Sequence, residues 1–152
     1  MGFDLRSALP FLLPKAITWA EERAAEIAAS GMPLDHKGIS LAQRVGVAHP
    51  ELIRILMVSQ LPLPPDPQLQ QAALASGLLG PGMVGLTLGH GIYICHGHNT
   101  GRLLSHECRH VYQYEQASSI AAYLPVYLQQ IANFGYANAP FEIDARSHEI
   151  HA

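Results

Sequence analysis

The chain is poor in charge, in cysteine and in long apolar runs, and each shortage removes a class of protein. Only 14% of its 152 residues are Asp, Glu, Lys or Arg, two of them lysines, and nine basic residues against twelve acidic ones leave a net charge of −3. No two lysines or arginines are adjacent. That pattern argues against a nucleic-acid surface or an anchor for anionic membranes. The two cysteines, Cys95 and Cys108, are too few for a disulfide framework. A chain of this length needs none, since it buries roughly 68–70% of its unfolded surface. No stretch of about 18 uncharged apolar residues exists, which excludes a membrane-spanning helix. The apolar stretch Leu9–Leu13 is preceded by Asp4 and interrupted by Pro10 and Pro14, unlike a signal peptide, and Arg6 breaks the myristoylation pattern after Gly2. These absences lead us to expect a cytoplasmic protein with reduced thiols and no membrane or nucleic-acid partner.

What remains is 49% apolar and carries nine histidines, the residue most used as a metal ligand and proton carrier. The length fits one domain, residues 1–152, and rules out two of full size. Ile17, Ala20, Ala24, Ile27 and Ala28 recur at helical spacing between Pro14, suited to a first turn, and Gly31, suited to a stop. Leu52–Leu63 reads as a strand closed by a proline-rich connector, although 51–58 also fits a buried helix. Gln68–Leu79 is a short helix ended by Gly80-Pro81-Gly82, and Met83–Leu88 with Ile92–Cys95 form a hairpin across Gly89-His90-Gly91. Asn99 or Thr100 caps a helix to about Gln116, Ser118–Phe134 is a second, and a last one runs from Asn138–Pro140 to the end. A helix first, strands in the middle and helices last predict an α+β fold with a small mixed sheet.

Within the third of these helices stands His106-Glu107-Cys108-Arg109-His110, an HExxH sequence. On a helix both histidines project from one face, one turn apart, and reach a single metal ion while Glu107 leans over the same side. The composition leads to only about 0.03 chance occurrences of the pattern. A catalytic zinc takes three protein ligands and a water, so a third ligand is needed. Positions 113 and 116, where a metzincin has Gly and His, are Gln113 and Gln116. Cys95 is available for a deformylase-like site but lacks the Gly-Cys-Leu-Ser surroundings, and Glu142 lies downstream in Ala139-Pro140-Phe141-Glu142-Ile143-Asp144-Ala145-Arg146.

Residues 83–149 resemble the gluzincin metallopeptidases, in particular the small single-domain minigluzincins and related bacterial zincin-like domains. The likeness rests on the hairpin GLTLGHGIYI, on Leu103-Leu104-Ser105-His106-Glu107 with His110-Val111-Tyr112-Gln113, and on the Pro-x-Glu-x-Asp-Ala-Arg segment. It implies a zincin-like fold: an N-terminal helix, a small sheet, an HExxH helix and a C-terminal glutamate helix. The upper part spans about 14–117 and the short lower part about 118–152. It also implies a zinc ion held by His106, His110 and Glu142, and peptide-bond hydrolysis with Glu107 as general base. The aspartate that orients a zinc-bound histidine in many gluzincins is here Arg146. Asp144 and Glu149 are the substitutes at hand, Glu149 sharing a helical face with Glu142. Gln113 stays on the site face, and Tyr136 and His148 are candidates to stabilise an oxyanion.

A peptide or protein substrate is expected to add to the strand Met83–Leu88. With little chain after His110, the cleft is expected to be shallow unless a second copy, a partner protein or the N-terminal segment covers it. The other class kept in view is a catalytically weak binding or regulatory module with a structural zinc. His96 and His98 form an H-x-H pair suited to an adventitious metal, His36 and His49 fall in loops, His90 sits in the hairpin turn, and Arg109 and Cys108 point away from the histidine pair.

Overall fold

A computed structural model describes residues 4–151. Six helices pack around one four-stranded sheet: α1 (Leu5–Ser30), β1 (Met32–Pro33), α2 (His36–Arg44), β2 (Arg54–Val58), α3 (Pro67–Ala75), β3 (Gly85–Leu88), β4 (Gly91–Cys95), α4 (Gly101–Ala117), α5 (Ile120–Phe134) and α6 (Pro140–Ser147). The strands lie in the order β1-β2-β4-β3, with β2 and β4 parallel and the other two pairings antiparallel. The mixed α+β class expected from the sequence is therefore the observed one. Among the described residues no helix is long and apolar enough to cross a membrane.

Strand alternation sorts β4 into two faces. Ile92 and Ile94, with Ile53 and Ile55, meet Leu103, Leu104, Cys108 and Val111 of α4. Tyr93 and Cys95 turn to the other face, toward Ala20 and Ile27 of α1. Thr87 and Gly85 pair with Ile92 and Ile94, so their Cβ positions face α4. That register brings β3 against the HExxH helix. The turn between β3 and β4 uses Gly89 at φ +67°, a left-handed conformation natural to glycine.

Three expectations need correction. Helix α1 does not begin at Pro14 but at Leu5, where the Asp4 side chain accepts from the Arg6 N–H. Pro10 and Pro14 each remove a helical hydrogen bond, and burial of Leu12 and Ala16 against Leu69 and Ala72 offsets the loss. The segment around His36 is not a loop: Asp35 accepts from Gly38 N–H at 2.8 Å and opens α2, whose polar first turn masked its helical period. Last, α6 stops at Ser147. The tail then turns back over α4, fixed by Ile150 N–H donating to Ser105 Oγ at 2.8 Å.

Between α4 and α5 the chain reverses at Ser118, a non-glycine residue at φ +79°, and Ser119 caps α5 by accepting from Ala122 N–H. The reversal lays α5 back along α4. Tyr123 stacks on Tyr114 with ring centroids 3.8 Å apart and on Phe141 of α6 at 5.0 Å. This aromatic column fixes α4, α5 and α6 relative to one another.

Candidate metal centre

Thr100 opens α4 by accepting from Leu103 N–H, and one turn of that helix separates His106 from His110. Their rings stand 5.0 Å apart, nearly edge to face. Glu142, in the first turn of α6 and 2% exposed, reaches between them: its Oε1 lies 3.2 Å from His106 Nε2 and its Oε2 3.1 Å from His110 Nε2. The three ligand atoms all fall within 4.8 Å of one another. Metal–ligand bonds of 2.0–2.1 Å in a tetrahedron separate neighbouring donors by roughly 3.3 Å, and each imidazole nitrogen stands near that distance from one of the two Glu142 oxygens. The three residues fit a metal ion by geometry as well as by donor type.

The far side of each imidazole is fixed. His106 Nδ1 lies 2.8 Å from Glu149 Oε2. A carboxylate only accepts, so Nδ1 donates to Glu149, and a metal ion that displaced the Nε2 hydrogen now facing Glu142 would take the Nε2 lone pair. His110 Nδ1 lies 2.8 Å from Gln113 Oε1, which also accepts from the Tyr123 hydroxyl at 2.9 Å. The same amide donates through Nε2 to Phe141 O and Asp144 Oδ2, both at 2.9 Å. With all four positions used, the Gln113 amide has one orientation and can only accept from His110. Asp144 is held in turn by Arg109, through Nε at 2.8 Å and a second nitrogen at 3.3 Å. Gln113, Asp144 and Glu149 thus all support the ligands. Glu149 does so from the tail beyond α6 rather than from a shared helical face.

Electrostatics agree with a site built for a cation. Burial pushes His106 and His110 toward the neutral form, but hydrogen bonding to Glu142, the nearby carboxylate charges and the acceptors Glu149 and Gln113 together outweigh it, and His110 is raised to about 9. Burial would raise Glu142, yet the two imidazoles and Tyr127 hold its carboxyl well below the usual carboxylate range. The Tyr127 hydroxyl donates to Glu142 Oε2 at 2.7 Å.

Glu107, 5% exposed, accepts at Oε1 from Thr87 Oγ1 at 2.8 Å. A Cβ at Gly85 would stand 3.0 Å from Glu107 Oε2, so β3 passes directly against this carboxyl. Both imidazoles feel its negative charge. Tyr136 lines the same cavity as Glu107, His110 and Glu142, and burial together with the Glu142 charge keeps its phenol protonated far above neutral pH.

Other sequence candidates lie elsewhere. Cys95 is buried in the core on the α1 face of the sheet, opposite Thr87 and Glu107, and is no ligand. His148 turns to its own helix end, its Nδ1 2.8 Å from Asp144 O. His96 and His98 are exposed beyond β4, and His90 pairs with Glu115 at 2.9 Å. Thr87, Tyr123 and Tyr127 were not singled out from the sequence. The two tyrosines do share a helical face at i and i+4, a spacing that could have marked them; nothing local marks Thr87.

The cleft is not shallow. Beside the cluster lies a cavity of about 120 Å³, walled by α1, α3, α5 and β3. The N-terminal segment covers the site, one of the arrangements that the short lower part suggested. The chain matches no protein-family model, no curated protein and no solved structure, so the site's own geometry carries the functional reading.

Proposed function

We propose that the protein is a zinc-dependent hydrolase of peptide or related amide bonds, a reading supported by the resemblance to gluzincins and a zincin-like arrangement of hairpin, HExxH helix and glutamate helix. The observation that carries it is the convergence of His106 Nε2, His110 Nε2 and the Glu142 carboxylate, with each imidazole held at its Nδ1 by an acceptor, Glu149 or Gln113. His106, His110 and Glu142 hold the metal. When bound, zinc supplies Lewis acidity, lowering the pKa of a water and polarising a carbonyl.

The chain's own residues do the rest. Glu107 accepts the proton of the attacking water as its oxygen bonds to the carbonyl carbon, and returns that proton to the amine as the C–N bond breaks. Thr87 aims the Glu107 carboxyl through its hydroxyl. Tyr127 and Gln113 hold Glu142 and His110 and touch no reacting atom. Tyr136, a neutral phenol, is the candidate donor to the developing oxyanion.

The test combines metal analysis with a peptide and amide library. One zinc per chain, chelator-sensitive cleavage, and loss of cleavage in Glu107→Gln with zinc retained are the expected results. Full activity in Glu107→Gln would refute the assignment. Stoichiometric zinc with no cleavage of any substrate would favour the binding or regulatory module instead.

A further inference from the structure

The cavity beside the cluster belongs to no step of the chemistry, and its shape restricts what can reach Glu107. Its lining is overwhelmingly apolar, with Leu9 and Leu12 from α1, Leu69 and Ala72 from α3, Leu86 from β3 and Leu128 from α5, while Glu107, His110 and Glu142 border it. β3 is the edge strand of the sheet, yet Gly85, Thr87 and Leu88 are buried. An extended peptide would therefore find little exposed strand to pair along. What the site offers is a small apolar chamber ending in two carboxyl groups and an imidazole.

Resting on the metal-hydrolase reading, we propose that the substrate is a small amide carrying one apolar group beside the scissile carbonyl, seated between α1 and α3. Apolar cavities of ~150 Å³ hold a benzene ring. One of about 120 Å³ takes a chain of roughly four to six carbons by the same measure. The groups that select this chain sit on α1 and α3, remote in sequence from the HExxH helix. A longer or charged group meets leucine and alanine walls and is refused, because burying an unpaired charge there has no compensation.

Two probes test this. On the zinc-loaded protein, linear alkyl hydroxamates of increasing length are titrated calorimetrically; affinity should rise about fourfold per methylene and level off once the chamber is full. Ala16→Leu and Ala72→Leu, which each add bulk to the lining, should move the plateau to shorter chains. On the metal-free protein, hexanamide should change the emission of Trp19 saturably and acetamide should not. Trp19 is the one tryptophan of the chain and lines the cavity. Failure to bind zinc would overturn the hydrolase reading while leaving the Trp19 titration to judge the chamber. Affinities independent of chain length, a plateau unmoved in both folded variants, or no saturable Trp19 response would overturn the proposal.

Discussion

Thr87 Oγ1 stands 2.8 Å from Glu107 Oε1, a hydrogen bond between an edge strand and the helix that carries the two histidines. Among the described residues it is the one side-chain hydrogen bond found for the Glu107 carboxyl, so it sets the direction in which that group points. Thr87→Val keeps the shape and removes the hydroxyl. Hydrolysis should fall about ten- to a hundredfold, toward the range that a positioned general base contributes, with zinc content and thermal stability near wild type. Steady-state kinetics with metal analysis decide it; an unchanged rate would mean that Glu107 needs no such support.

Gly85 makes a second, steric demand on the same carboxyl. Alanine there would put its Cβ 3.0 Å from Glu107 Oε2 and 3.2 Å from Cδ, tighter than ordinary contact, and the flexible carboxyl gives way before the strand does. Gly85→Ala should therefore reduce turnover while melting within a few degrees of the parent. Circular dichroism beside a rate assay separates displacement of Glu107 from loss of fold.

Gln113 and Glu149 orient the two imidazoles, and groups in that position typically contribute ten- to a hundredfold to metal affinity. Gln113→Leu and Glu149→Gln should each weaken zinc binding by about that factor, measured by competition with a chromogenic chelator. Gln113→Leu should have the larger effect, because it also leaves the Tyr123 hydroxyl without its acceptor. Equal affinity across wild type and both variants would show that the histidines are held by the helix alone.

Glu115 ties the end of α4 to two other segments, accepting from Ala48 N–H at 2.8 Å and His49 N–H at 3.0 Å and pairing with His90 at 2.9 Å. Burial pushes its carboxyl up, but these partners outweigh it and leave it below the ordinary carboxylate value. A folded-state pKa lowered in this way gives stability that is present above the unfolded value and lost as pH falls through the folded one. Glu115→Gln should cost about 1–2 kcal/mol near neutral pH, and its difference from wild type should shrink on acidification below about pH 4. Urea unfolding across pH follows both.

Sequence reading reached the hairpin, α4 and α5 because each is marked locally, by Gly89-His90, by the Thr100 cap and by Gly135. It failed at Leu5–Leu13, where two prolines argue for a break and only packing against α3 shows that the helix continues. The cluster of His106, His110 and Glu142 was legible because HExxH is local and Glu142 sits in a recognisable segment. Glu149 was named for a helical face that does not exist: α6 ends at Ser147, and the Ser105 hydroxyl, distant in sequence, turns the tail toward His106. Thr87 and Tyr127 escaped notice because their partners, Glu107 and Glu142, are supplied by strand register and helix reversal, which no short window contains.

The His106, His110 and Glu142 cluster and the side chains that orient its imidazoles all lie between His106 and Glu149, whereas most of the cavity wall comes from residues 5–88. On the proposed reading, chemistry and selection are written in separate stretches of one chain, with β3 the element where they touch. Substitutions in α1 and α3 would then retune what the protein accepts without disturbing how it reacts.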